Sequence, residues 1–120
     1  MDLKDQLEIR QKTFALAGME LARANEIHSM FRCARVGESV IREELEEAEE
    51  ALGLVMRYRD AMWERIRRDK DMDIGELELM GNAALELTYE CIQIMAMIHK
   101  FILSMEGWRD EQGSTDRALM

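Results

Sequence analysis

The densest group of chemically useful side chains in this sequence is a run of glutamates at residues 43–50. The run reads EELEEAEE, so six of its eight positions are glutamate and none is lysine or arginine. Like charges four residues apart on a helix, as at Glu43/Glu47, repel one another. A divalent cation would turn that repulsion into attraction, because Mg²⁺ prefers carboxylate ligands. Two interpretations follow from the run alone, a cation site and a solvated acidic face.

The elements that carry these glutamates are predicted to be helices. The 120 residues include no proline, and the composition is dominated by the helix-favouring residues Ala, Leu, Met, Glu and Arg. We predict three helices, from about Leu3 to Ile27, from near Gly37 to Arg68, and from near Asp73 to Gly107. Asp73 is of the residue type that caps a helix N-terminus. The expected fold is all-α, a bundle of three long helices with room for one short extra helix.

Apolar residues in the second and third helices recur in steps of three and four, which predicts side-by-side packing at a shallow angle. The predicted seam of the second helix comprises Ile41, Leu45, Ala48, Leu52, Val55, Met62 and Ile66. The predicted seam of the third helix comprises Leu77, Met80, Ala84, Leu87, Cys91, Ile94, Ile98, Phe101 and Met105. Several polar residues lie one position before a seam residue, so they should flank the core. They are Glu44, Glu47, Glu86, Glu90 and Gln93.

The remaining glutamates of the run, Glu46, Glu49 and Glu50, are predicted to point to solvent. A simple hairpin does not bring Glu44 level with Glu90. If the turn centres near Asp71, Glu44 lies farther before the turn along the chain than Glu90 lies after it. The mismatch corresponds to roughly 12 Å along the helix axis. We therefore expect either a break near Gly53 or an extra turn around residues 68–76.

The third helix also predicts self-association. From Cys91 to Leu103 nearly every face is apolar, and a helix of this kind is buried on several sides. In a chain this small, such burial favours a homodimer or a dimer of dimers. We expect residues 1–107 to form a single domain and residues 108–120 to form a flexible tail.

Charge and residue usage exclude several classes of protein. A net charge of −9 disfavours nucleic-acid binding, which needs a basic surface. The most apolar run is too short and too polar to cross a membrane, and no signal peptide is evident, so a cytoplasmic protein is expected. Cys33 and Cys91 are predicted to be buried free thiols. His28 and His99 lack partners at zinc-ligand spacing.

The glutamate run and a later segment together resemble a known family. Glu43-Glu44-Leu45-Glu46-Glu47 matches an EExxE motif, and Glu90-Cys91-Ile92-Gln93 is the best counterpart of an ExxD motif. This pair of motifs on successive helices is similar to that of the MazG-like all-α nucleoside triphosphate pyrophosphohydrolases. The segment ANEIHSMF followed by GESVIREELEEAEEAL looks like small MazG-like proteins of phages and prophages. The resemblance covers about residues 14–103.

The resemblance implies a Mg²⁺-dependent hydrolysis of a (deoxy)nucleoside triphosphate to a monophosphate and pyrophosphate, with Mn²⁺ as an alternative cation. Gln93 stands where the family has Asp, so either Gln93 or Glu86 would complete the ligand set. The other implied roles are metal ligation by Glu44, Glu47 and Glu90, orientation or deprotonation of the attacking water by Glu43, and phosphate binding by Lys100 and Arg42.

A rival hypothesis is a non-catalytic acidic helical protein that binds a partner, such as a phage-encoded inhibitor or a regulatory module. The two hypotheses predict different geometry. In an enzyme, Glu44, Glu47 and Glu90 converge on one point. In an interaction protein, the glutamates fan outward, and Glu90 and Gln93 are sealed in packing.

Overall fold

The chain folds into three long helices, and no strand occurs within residues 1–119. A computed structural model describes the backbone of these residues and the side chains of residues 1–111. Helix α1 spans Leu3–Ile27, α2 spans Ala34–Arg67 and α3 spans Ile74–Leu119. The predicted all-α fold of three long helices is confirmed, and the described backbone contains no short extra helix.

The predicted limits of the helices need two corrections. Helix α2 begins at Ala34, slightly before Gly37. Helix α3 continues past Gly107 to Leu119, so the prediction that it ends there is wrong. No proline follows Gly107, and one glycine inside a helix costs only about 1 kcal/mol relative to alanine. The prediction that residues 108–120 form a flexible tail concerns mostly residues 112–120, whose side chains lie outside the described part of the chain.

Aspartates cap the first and third helices. Asp2 Oδ1 accepts a hydrogen bond from the backbone N–H of Asp5 at 2.9 Å. Asp73 Oδ1 accepts hydrogen bonds from the backbone N–H groups of Gly75 at 2.8 Å and Glu76 at 3.4 Å. Such bonds satisfy amide groups that have no partner within the first helical turn. The predicted cap at Asp73 is confirmed.

Residue contacts divide the chain into two compact units, to which α2 and α3 both contribute. The first unit comprises Met1–Arg42 and Ile92–Met120, and the second unit comprises Glu43–Cys91.

The core of the first unit forms where α1, the start of α2 and the later part of α3 meet. Its most buried apolar residues are Phe31, Ala96 and Met97. The partly buried residues packed against them are Leu21, Ala24, Val40, Ile41, Phe101 and Trp108. Phe101 makes edge-to-face contacts with the rings of Phe31 and Trp108, both at 6.1 Å between centroids. Aromatic side chains therefore account for much of this core.

Phe31, in the connection between α1 and α2, is held at both of its backbone polar groups. Its N–H donates to Ser104 Oγ at 3.0 Å, and its carbonyl accepts from Trp108 Nε1 at 3.0 Å. A Cβ at Gly37 would clash with the Phe101 ring. The absence of a side chain at Gly37 thus lets α2 approach α3 closely within this unit.

The second unit is an antiparallel hairpin of α2 and α3. Near the connection, Arg65 Nε and Nη2 donate to the two carboxylate oxygens of Glu76 at 2.9 and 3.1 Å. The buried apolar residues of the hairpin are all alanines, at positions 48, 51 and 83. Short side chains at a helix contact allow the two helix axes to lie close together. The hairpin therefore has a narrow interior.

The buried faces of the hairpin match the predicted seams only in part, since the seam residue Ala48 is buried on α2 and the seam residues Met80 and Leu87 are partly buried on α3. On α3, Ala83 and Glu90 are buried, whereas the predicted seam residues Ala84 and Cys91 are exposed. On α2, Ala51 is buried and Leu52 is exposed. At Leu52 the sequence placed a large apolar residue inside, but its small neighbour Ala51 lies there. Glu90 therefore lies on the inner face, whereas Glu44 is partly buried, as expected for a residue that flanks it.

The expected break near Gly53 does not occur, since α2 is continuous through that residue. No extra helical turn occurs between α2 and α3 either. Measured along the chain from the Arg65–Glu76 pair, Glu47 lies farther away than Glu90. The difference is about 6 Å along the helix axis.

The predictions of burial for individual cysteine, histidine and tryptophan residues are confirmed only in part. Cys33 and Cys91 are free thiols, as predicted, but both are exposed. Cys33 lies in the connection between α1 and α2, and Cys91 lies next to the buried Glu90 on α3. His99 is partly buried, and its ring contacts Phe14 edge-on at 5.1 Å. Trp63 is largely exposed on α2. In the described part of the chain, no helix has a stretch both long and apolar enough to span a membrane.

Candidate metal centre

Three carboxylates converge in the second unit. Glu44 and Glu47 lie one turn apart on α2, and Glu90 lies opposite them on α3. One oxygen from each side chain can be chosen so that all three lie within 4.8 Å of one another. We call these three residues the carboxylate cluster. Its members span a range of burial, with Glu90 buried, Glu44 partly buried and Glu47 exposed.

Of the three residues, Glu90 is the one whose negative charge is least stabilised by its surroundings. Its side chain is only 8% exposed, and its Oε2 atom has no hydrogen-bond partner among the described residues. A buried charge without partners is strongly unfavourable. Burial raises the pKa of Glu90 to about 7, and the neighbouring carboxylates of Glu47, Glu86 and Glu44 add to the rise. The unpartnered Oε2 therefore points to a missing positive charge or proton.

The donor set fits a hard divalent cation. All three residues offer carboxylate oxygens, which are the ligands of Mg²⁺ and Mn²⁺. Mg²⁺ usually keeps several waters, so three protein carboxylates leave positions for water or phosphate oxygens. Glu47 is exposed, which leaves one side of the cluster accessible to solvent. A cation would also give Glu90 Oε2 the partner that it lacks.

Glu86 lies at the edge of the cluster. Glu86 is one turn before Glu90 on α3, and it is exposed but close enough to help raise the pKa of Glu90. Glu43 is exposed on α2, one turn before Glu47. The other glutamates of the run, Glu46, Glu49 and Glu50, are exposed as predicted. Of the glutamate run, Glu44 and Glu47 thus belong to the cluster, and the other four glutamates are exposed to solvent.

Gln93 belongs to the first unit, where it is buried. Its Nε2 atom makes no hydrogen bond of normal geometry within the described part of the chain. Glu20 of α1 is close by. Arg23 lowers the pKa of Glu20 most, and the amide of Gln93 contributes in the same direction. Sequence reasoning did not single out Glu20, because no local pattern reveals a contact between residues so far apart in the chain.

The two predicted phosphate-binding residues also lie in the first unit. Arg42 forms an exposed ion pair with Glu38, one turn earlier on α2. Lys100 is 3% exposed, and its Nζ lies 5.1 Å from the centroid of the Phe31 ring. Burial lowers the pKa of Lys100. These two side chains thus differ in kind, one being a solvated charge and the other a buried one.

The chain matches no protein-family profile, no curated protein and no solved structure.

Proposed function

We propose that the carboxylate cluster binds a divalent cation, and that the protein uses it to hydrolyse a nucleoside triphosphate to a monophosphate and pyrophosphate. The observation that carries the cation site is the buried, unpartnered Oε2 of Glu90 beside two further carboxylates. Acidic residues on a helix are common without a metal. A buried carboxylate that faces two others is not, because its charge would be uncompensated.

The reaction type rests on the resemblance of Glu43-Glu44-Leu45-Glu46-Glu47 and Glu90-Cys91-Ile92-Gln93 to the motifs of the MazG-like family. Glu44, Glu47 and Glu90 would hold the cation. When bound, Mg²⁺ would neutralise phosphate charge and lower the pKa of the attacking water. The exposed Glu43, one turn before Glu47, would accept a proton from that water. Attack on phosphorus would break the bond to the leaving pyrophosphate.

The cation site is tested by calorimetric titration of Mg²⁺ and Mn²⁺ into the protein at pH 8. We expect Glu47→Gln to weaken binding at least about tenfold, since a ligand charge is lost. Glu49→Gln is the matched control, because it removes the same charge from an exposed position of the same helix. Equal binding by the wild type and both variants would show that the cluster does not hold the cation.

The hydrolysis is tested by measuring Mg²⁺-dependent pyrophosphate release from each of the common NTPs and dNTPs. Wild-type protein should release pyrophosphate from at least one of them, Glu47→Gln should not, and Glu49→Gln should retain the activity. If cation binding depends on Glu47 but no nucleotide is hydrolysed, the enzyme proposal fails and the metal site stands. A non-catalytic interaction protein is then the better hypothesis, and the buried Gln93, where the family has Asp, favours it.

We also propose that the protein is a homo-oligomer, a dimer or a dimer of dimers. A two-helix hairpin has no third layer to cover its outer faces, and apolar faces need such a layer. In the second unit, large apolar side chains on both helices are exposed. They are Leu45, Leu52, Leu54, Met56, Trp63, Ile66, Ile74, Leu77, Leu79, Leu85 and Tyr89. A second copy of the chain would bury this surface, since symmetric self-association is the commonest way to do so.

A further inference from the structure

The first unit contains a cavity of about 290 Å³ near the end of α1. Phe31, Met97 and Val40 contribute apolar side chains to it, and Lys100 is the buried charged residue in its wall. His28 and Arg32 also line the cavity, and both are exposed. This volume is near the lower end of the roughly 300–1,000 Å³ typical of ligand sites. The cavity suits a small ligand.

Lys100 has no counter-ion in the described part of the chain. Its ammonium group lies against the face of the Phe31 ring, at 5.1 Å, and no described carboxylate forms an ion pair with it. A cation over an aromatic ring recovers part of the lost hydration, but removing an ammonium group from water costs more than one such contact returns. The depressed pKa of Lys100 reflects the same cost.

We propose that this cavity binds a small carboxylate with an apolar chain, whose carboxylate pairs with Lys100 and whose chain packs against Phe31 and Met97. The buried charge of the cavity favours a monoanion, because Lys100 is buried whereas Arg32 is exposed to solvent. One buried ammonium balances one carboxylate, whereas a phosphate dianion would leave an excess negative charge in an apolar space. The apolar walls favour a chain, because its burial supplies affinity that an inorganic anion cannot obtain. All the residues involved belong to the first unit, so the proposal is independent of the carboxylate cluster.

Octanoate is the probe for the test, with 1-octanol as its neutral counterpart and inorganic phosphate as a chainless anion. Isothermal titration with the full chain should show octanoate binding at least about tenfold more tightly than octanol, a ratio equal to about 1.4 kcal/mol. Inorganic phosphate should not displace octanoate. In Lys100→Met, octanoate should lose at least about tenfold in affinity while octanol keeps its own.

Lys70→Met is the matched control, because Lys70 is exposed and lies in the second unit. It should bind octanoate like the wild type. Lys100→Met is expected to remain folded, since it replaces an unpaired buried charge with an apolar side chain of similar length, and its thermal unfolding verifies this. Equal affinities for octanoate and octanol, displacement by phosphate, or unchanged octanoate binding in folded Lys100→Met would each overturn the proposal.

Discussion

At the scale of single residues, the side chain that matters most is Glu90. The glutamate run supplies many carboxylates, but most of them are hydrated and interchangeable. Among the described carboxylates, Glu90 alone combines burial, an unpartnered oxygen and a raised pKa. The spacing of the motifs identifies Glu90 as a candidate from the sequence. Its burial could not be predicted, because that depends on which face of α3 turns inward.

The first prediction concerns stability as a function of pH without metal. The pKa of Glu90 is about 7 in the folded protein against 4.5 for an unperturbed glutamate, so the folded state binds the proton more tightly. Its contribution to stability is fully present below pH 4.5 and is lost as the pH rises through 7. Glu90→Gln keeps the shape and removes the charge. It should raise the free energy of unfolding at pH 8 by roughly 1–3 kcal/mol and have little effect at pH 4.5.

Urea unfolding of both proteins between pH 4.5 and 8.5 in the presence of a chelator measures this effect. Glu50→Gln, an exposed position on α2, is the control for a general loss of negative charge. If Glu90→Gln and Glu50→Gln give the same pH profile, Glu90 does not have a raised pKa.

The same shift predicts how the cation affinity should vary with pH. Cation binding requires Glu90 to be ionised, so protons compete with the metal below a pH of about 7. We expect the increase in melting temperature caused by about 10 mM Mg²⁺, a concentration well suited to weak sites, to be larger at pH 8 than at pH 5.5. An increase of the same size at both pH values would place the metal elsewhere on the protein.

At the scale of the elements, the sequence predicts the helices well but the buried positions of the hairpin only in part. The steps of three and four, the lack of proline and the cap at Asp73 are local features, so they can be read directly. Leu52 and Ala51 both count as apolar, and periodicity alone does not show which of them packs inside. A stripe buried against a partner subunit also has the same pattern as a stripe buried within the chain.

Neighbouring alanines on α3 test the observed register. Ala83 is buried in the hairpin, and Ala84, the residue predicted from the sequence to lie inside, is exposed. Ala83→Leu should destabilise the protein by about 1–3 kcal/mol through overpacking. Ala84→Leu should change stability by less than about 0.5 kcal/mol. Chemical denaturation in dilute solution measures both values, and a larger effect at Ala84 would support the seam predicted from the sequence.

At the scale of the whole molecule, the exposed apolar faces of the second unit predict self-association. Leu85 is 69% exposed on α3, and it is one of many large apolar residues left uncovered. Leu85→Glu would place a charge in the proposed interface, and burying an unpaired charge is costly. We expect the wild type to have the mass of a dimer or tetramer and Leu85→Glu to have the mass of a monomer, as measured by light scattering after size-exclusion chromatography.

Gln11→Glu is the control for this variant, since it adds the same charge at an exposed position of α1. It should keep the mass of the wild type. A monomeric wild type at high protein concentration would contradict the proposed assembly, and the apolar surface would then need another occupant.

The positions of the two tryptophans give the protein a built-in optical reporter for each unit. Trp63 is exposed in the second unit, whereas Trp108 is partly buried in the first unit and donates its indole N–H to the Phe31 carbonyl. Removing either indole leaves one tryptophan, whose emission, excited at a wavelength that tyrosine does not absorb, follows the unfolding of a single unit. The fluorescence of the Trp63→Phe and Trp108→Phe proteins would therefore show whether the two units unfold together or one after the other.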